Sequence, residues 1–263
     1  MVKKMSRYFI TFSYDGSSFA GYQTQPGLRT VQEELEKALW FINNKTKTVI
    51  HASGRTDAKV HALNQTAHFD LNVTITPNKL KRALNSNLPA DIHVKNAMCV
   101  SSDFHARYHV KEKEYCYYLN MGEYNPIKRN YVYQYNHELN IKAMKKAIKY
   151  LKGTHDFRAF VSENNTKENC VRTISKVAVR QNKQEPNQLE IYFKGTGFMK
   201  YQVRNMVGYL IKIGENKVKS NSIKEVLDSR DRMKAGKTAP AEGLYLKSVI
   251  YHKNDMQEKQ RKK

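Results

Sequence analysis

Arg7-Tyr8-Phe9-Ile10-Thr11-Phe12-Ser13-Tyr14, followed by Asp15-Gly16, reads as a β-strand ended by a turn. Aromatic and β-branched residues suit a pleated surface, and Asp-Gly is a turn dipeptide. Downstream, Pro26-Gly27 precedes Thr30-Val31-Gln32-Glu33, a capping box that opens a helix whose apolar positions are Val31, Leu35, Ala38, Leu39 and Phe41-Ile42. Strand-like runs follow near Thr48–His51 and Thr66–Val73. Thr76-Pro77 starts a second helix through Leu80, Ala83 and Leu84, with Pro77 at the favoured first helical position. Ile92–Val100 is again a strand. The order is β-α-β-β-α-β, the ferredoxin-like arrangement.

The second half repeats that order. Tyr108–Leu119 is a long strand, and Ile141, Met144, Ile148 and Leu151 mark one helix face. Ile174–Arg180 and Leu189–Lys194 flank a polar segment as a hairpin. Met199, Val203, Met206-Val207, Leu210 and Ile213 form a helix ending at Gly214. Ser222-Ile223-Lys224-Glu225 is a second capping box, and Tyr245–Tyr251 closes with a strand. The expected fold is α+β: two ferredoxin-like units with antiparallel sheets. The expected boundaries are 1–103, 104–252 and a disordered basic tail at 253–263.

The 263 residues carry 46 Lys plus Arg against 24 Asp plus Glu, a formal charge of +22. Such an excess implies a polyanionic partner, because each cation near a phosphate gains Coulomb energy and releases a counterion. Seventeen Tyr and ten Phe accompany the cations, and unstacked RNA bases need flat partners as well as charge. A membrane is the rival polyanion. It is disfavoured because the sequence has no apolar run of about 18 residues, no signal-peptide core and no basic amphipathic N-terminal helix. Three cysteines, Cys99, Cys116 and Cys170, include no C-x-x-C pair and have no His at ligand spacing. They point to a reducing, cytoplasmic setting, without disulfides and without a structural metal.

Ser53-Gly54-Arg55-Thr56-Asp57-Ala58-Lys59-Val60-His61 crowds an acid, two cations and an imidazole between two strands. The residue types allow two readings. One is a turn in which Asp and Thr bond their own backbone; the other is a functional loop on a rigid scaffold.

Gly54-Arg55-Thr56-Asp57-Ala58 followed by Val60-His61 resembles the active-site signature of the TruA family of tRNA pseudouridine synthases. Further blocks fall in the family's order. Tyr14-Asp15-Gly16 with Gly21-Tyr22-Gln23 and Thr30-Val31-Gln32 resembles the N-terminal block, and Phe104-His105-Ala106-Arg107 with Lys113-Glu114-Tyr115-Cys116-Tyr117 the central one. His155-Asp156-Phe157, Arg172-Thr173-Ile174, Val203-Arg204-Asn205-Met206-Val207-Gly208 and Ala239-Pro240 with Gly243-Leu244 complete the set.

The resemblance implies a pseudouridine synthase fold with a catalytic cleft between its two subdomains, and Asp57 as nucleophile. It implies Arg204 as the cation paired with Asp57, and Tyr115 as the aromatic on the uracil and a candidate acceptor for the C5 proton. Arg55 would fill the gap left by a flipped nucleotide, while Thr56, His61, His105 and Arg107 would support RNA binding. The implied substrate is tRNA at uridines 38–40 of the anticodon stem-loop, and the implied assembly is a homodimer. Isomerisation involves neither redox nor group transfer, so no cofactor is expected, and no protein partner is implied. Other readings are a non-catalytic RNA-binding protein, or the same chemistry on another tRNA site or on ribosomal RNA. The chain departs from the family at Lys59, where Gly is usual, at Tyr22, where Trp is common, and in the more polar Lys200-Tyr201-Gln202.

Overall fold

The computed structural model describes residues 5–162, 169–252 and 255. The tail expected to be disordered therefore lies, apart from Asp255, outside the described residues. The chain divides into two compact units, Met1–Lys111 with Leu246–Lys263, and Glu112–Tyr245. The boundary expected at residue 103 falls inside the first unit, which also takes in the closing strand.

The first unit contains β1 (Ser6–Tyr14), α1 (Val31–Ile42), β2 (His51–Ala52), β3 (His61–Leu71), α2 (Pro77–Asn87) and β4 (Ile92–Cys99). Its strands run β4-β1-β3 and then the chain's last strand, Leu244–Tyr251, with β2 paired to β3. Both pairings of β1 are antiparallel, with Phe9 opposite His68 and Tyr8 opposite Phe69. Tyr8, Ile10 and Phe12 are buried on one face of β1, and Phe9 is buried on the other. Phe9 packs with Val100, Phe104 and Ala106. Because both faces are covered, the strand reads as an almost unbroken apolar run rather than an alternation.

Thr30 caps α1 as expected, its Oγ1 accepting the Glu33 amide at 3.4 Å, while the Glu33 carboxylate meets Lys37 at 2.9 Å. The strand expected at Thr48–His51 shrinks to His51–Ala52, and the one expected from Thr66 begins five residues earlier at His61. The earlier start shortens the connection between β2 and β3 to residues 53–60.

The second unit contains β5 (Val110–Asn120), β6 (Tyr133–Gln134), α3 (Ile141–Ala147), β7 (Gly153–Asp156), β8 (Val171–Gln181), β9 (Gln188–Gly195), α4 (Gln202–Gly214) and α5 (Ser222–Ser229). Its strand order is β5-β9-β8-β7, all antiparallel, and β6 pairs in parallel with β5. The last strand is β10. The expected α+β class with antiparallel sheets is what the structure has, with β6 and β7 added in the second half and the short helix expected from Ser222 present as α5.

Two local expectations are corrected. The helix through Ile148 and Leu151 tightens to a 3-10 turn at Ile148–Leu151. Ser222 does not cap α5: Asn221 holds the cap position without a side-chain bond. The Ser222 hydroxyl is diverted, donating to the Lys219 carbonyl at 2.6 Å and accepting from Tyr209 at 2.9 Å. No described helix is long and apolar enough to cross a membrane.

Candidate active site

The loop between β2 and β3 is held by groups from three directions. Tyr14, the last residue of β1, shares a 2.8 Å hydrogen bond with Thr56 Oγ1. Burial pushes the Tyr14 phenol up to about 12, so it stays neutral and can serve as donor or acceptor. From β3, Gln65 donates to the Gly54 carbonyl at 3.0 Å and accepts from Ser53 Oγ at 2.6 Å. From the segment after β1, the Tyr22 amide donates to the Thr56 carbonyl at 3.1 Å and the Lys59 amide to the Phe19 carbonyl at 3.3 Å.

Two glycines allow this approach. A Cβ on Gly16 would lie 2.1 Å from the Val60 oxygen, so only glycine fits there. Gly21 has φ +113° and faces the Thr56 carbonyl, a conformation that L side chains rarely adopt. The loop is thereby fixed while Arg55, Ala58 and Lys59 stay exposed and Thr56 and Asp57 are half-buried.

His61, the residue after the loop, is 2% exposed. Its Nδ1 accepts the Gly16 amide at 3.0 Å. Asp15 Oδ1 lies 3.2 Å from the same nitrogen. Asp15 Oδ1 also accepts both the amide and hydroxyl of Ser17. Through its bond to the Gly16 amide, His61 anchors the turn after β1.

His105 and Arg107 lie on a separate segment pinned to the first unit. Arg7 forms a two-pronged bond to Asp70 at 2.8 and 2.7 Å and also donates to the Ser102 and Phe104 carbonyls. The Ala106 amide donates to His68 Nδ1 at 3.1 Å, and the Ala106 carbonyl accepts from Tyr251 at 2.7 Å. His105 is half-buried, with its ring 4.5 Å from His68, 5.7 Å from His51 and 4.2 Å from Tyr108. Desolvation, followed by the neighbouring His105, Arg7 and His51, holds His68 down at about 4. Arg107 is exposed, and its amide donates to His105 Nδ1.

In the second unit, Tyr115 on β5 is 8% exposed and meets Phe198 edge-to-face at 5.3 Å. Arg204 sits in the first turn of α4, with Nε donating to the Ala239 carbonyl at 2.8 Å and its own carbonyl accepting the Ala239 amide at 3.1 Å. Its guanidinium lies 5.2 Å from the centre of the Tyr201 ring. The next residue, Asn205, is fully buried; it donates to the Phe160 carbonyl and accepts from Arg232 and Thr238. Tyr117 on β5 donates to the Pro240 carbonyl at 2.8 Å. Residues 238–240 thus tie β5 and α4 together, which gives Asn205 and Ala239-Pro240 a physical role beside Arg204.

Sequence reasoning missed Tyr14, Gln65, Asn205, Thr238 and Arg232 as supports of the site. Tyr14 and Asn205 stand inside the resembling blocks, where a signal existed. The other three have none, because their partners are distant in sequence.

Two of the departures from the family leave buried polar atoms without a hydrogen-bond partner among the described residues: the Tyr22 hydroxyl and Gln202 Nε2. The third, Lys59, has φ +64°. Among the described residues no cluster of His, Cys, Asp and Glu is arranged to hold a metal ion, and Cys99, Cys116 and Cys170 form no disulfide.

A family model described as tRNA pseudouridine synthase matches residues 10–109 and 147–252, which include the fastened loop, Arg204 and the segment that braces it. The chain belongs to this family, the TruA type, and like pseudouridine synthases generally it is an isomerase. It is 47% identical over 248 residues to "tRNA pseudouridine synthase A" of Shouchella clausii, covering 94% of each chain. It is 46% identical over 248 residues to the protein of that name from Streptococcus pyogenes serotype M49, covering 94% of this chain and 99% of that one. Against the protein of that name from Limosilactobacillus reuteri strain DSM 20016 it is 44% identical over 254 residues, covering 95% and 99%.

Proposed function

We propose that the protein converts uridine to pseudouridine at positions 38–40 of the tRNA anticodon stem-loop, with Asp57 as nucleophile. The observation that carries this reading is the family's signature loop, fastened by Tyr14, Gln65 and His61 with Asp57 left half-buried. A reacting carboxylate needs such a frame, because rate depends on holding it in one geometry. The reaction breaks the N1–C1′ bond, turns the uracil and joins C5 to C1′, releasing the C5 proton. A carboxylate serves by attacking sugar or base, or by assisting glycal formation, and then leaving.

Arg204 keeps Asp57 ionised, since an adjacent guanidinium favours the charged carboxylate. Tyr115 stacks on the uracil. Arg55, exposed on the loop, takes the place of the extruded nucleotide and recovers part of the few kcal/mol that unstacking costs. His105 and Arg107 contact the RNA backbone. The enzyme works in the cytoplasm as a homodimer, one subunit gripping the body of the tRNA while the other modifies its arm. The charge of +22 supports the polyanionic substrate.

The test is tritium release from tRNA transcripts labelled at C5 of uridine, for wild type and Asp57→Ala, followed by mapping of the product. Release by wild type alone, at positions 38–40, is the expected result. Substantial turnover by the variant removes Asp57 from the nucleophile role, and binding without release by wild type makes the protein an RNA binder.

A further inference from the structure

Residues Asp57 to Val60 form a tight turn closed by the Val60 amide on the Asp57 carbonyl at 3.2 Å. Lys59 is the third residue of that turn and has φ +64°. A positive φ at this position calls for glycine or asparagine, because a Cβ crowds the backbone there. The turn thus explains the family's usual glycine and makes this chain's lysine a strained exception. Its ammonium group has no structural use that would offset the strain. Lys59 is exposed, and its side chain makes no hydrogen bond or ion pair among the described residues; its amide alone is engaged, with Phe19. Conformational strain kept at a surface position, on the turn that begins with the proposed nucleophile, points to a role in handling substrate.

We infer that Lys59 is a phosphate-binding residue of this enzyme, holding the RNA backbone phosphate beside the uridine that Asp57 attacks. The inference rests on the proposed function, since it assumes that the turn faces RNA. The ligand chemistry follows from the group: a solvated point charge on a flexible stem suits a phosphate oxygen and reads no base. The contact adds affinity without sequence preference, and its energy appears mainly in binding rather than in the chemical step.

The experiment uses the full chain and an unmodified tRNA transcript, comparing wild type with Lys59→Gly, Lys59→Met and Lys59→Arg. Tritium release gives KM and kcat, and binding is measured across a salt series. Lys59→Gly is expected to melt at a higher temperature than wild type, because glycine accepts the positive φ. Its KM is expected to rise about five-fold, with kcat changed less than two-fold and the log–log salt slope shallower by about one unit. Lys59→Met, which keeps the strain and loses the charge, should show the same KM and slope without the gain in melting temperature. Lys59→Arg should bind like wild type. An unchanged salt slope in Lys59→Gly and Lys59→Met overturns the inference, as does a loss confined to kcat. Failure of wild type to release tritium sinks the proposed function instead.

Discussion

The Gly16 amide donates a 3.0 Å hydrogen bond to His61 Nδ1 inside the first unit. The turn after β1 and the first residue of β3 are therefore one fitting, and the Ser53–Val60 loop hangs from it. His61→Ala strips a buried amide of its acceptor, which costs about 1–3 kcal/mol. Urea unfolding should show a lower midpoint at unchanged slope, while tRNA affinity of the folded variant stays within about two-fold. Weakened binding with unchanged stability would make His61 an RNA contact instead of an anchor.

Tyr22 is 2% exposed, and its hydroxyl lacks a partner among the described residues. Burial without that bond pushes the phenol well above its ordinary value. Tyr22→Phe removes the unsatisfied group and keeps the ring, so it should stabilise the protein by about 1 kcal/mol, or roughly 2–4 °C in melting temperature. A lower melting temperature would show that the hydroxyl is satisfied after all.

His68 gives the fold an acid sensitivity. Its folded pKa, about 4, lies below the ordinary 6.5, so between those values the unfolded chain holds the extra proton. Stability rises with pH across that window and is lost as pH falls through it, by an amount on the order of 2 kcal/mol. His105 is shifted the same way, by desolvation first and His51 next. His68→Asn keeps an acceptor for the Ala106 amide and cannot titrate, so unfolding measured at pH 7 and pH 5 should differ less in the variant. An equal pH difference in both proteins would remove His68 as the cause.

Asn205 joins Phe160, Arg232 and Thr238 one residue from Arg204. Asn205→Ala leaves three polar groups short of a partner and should cost about 2–3 kcal/mol, with a fall in kcat as Arg204 loses its brace. The check pairs denaturant unfolding with steady-state kinetics at a temperature where the variant is folded. Full stability would sink the argument.

The legible parts of this chain were those in which neighbours in sequence are also partners in space. Thr30 and Glu33 are three residues apart, and the cap they signalled is formed. The same pattern at Ser222 misled, because Tyr209, far back in sequence, claims that hydroxyl. The family signature pointed to Asp57 and its loop, but nothing local announced that Gln65 reaches back to Gly54 or that Thr238 bonds Asn205. β3 was placed late because its first residues carry polar side chains: Asn64 reaches the Lys247 carbonyl and Gln65 the loop. Their pairing to distant backbone hides a strand that alternation would otherwise reveal.

β10 lies beside β3, and its Tyr251 hydroxyl reaches both Thr66 and the Ala106 carbonyl. The unit that carries Asp57 is therefore discontinuous in the chain. During synthesis, residues 1–111 leave the ribosome with β3 lacking one neighbour, and the gap stays open until residues 246–251 follow. The Asp57 unit is completed last although it is begun first, so a nascent chain cut short before Leu246 lacks the strand that closes it.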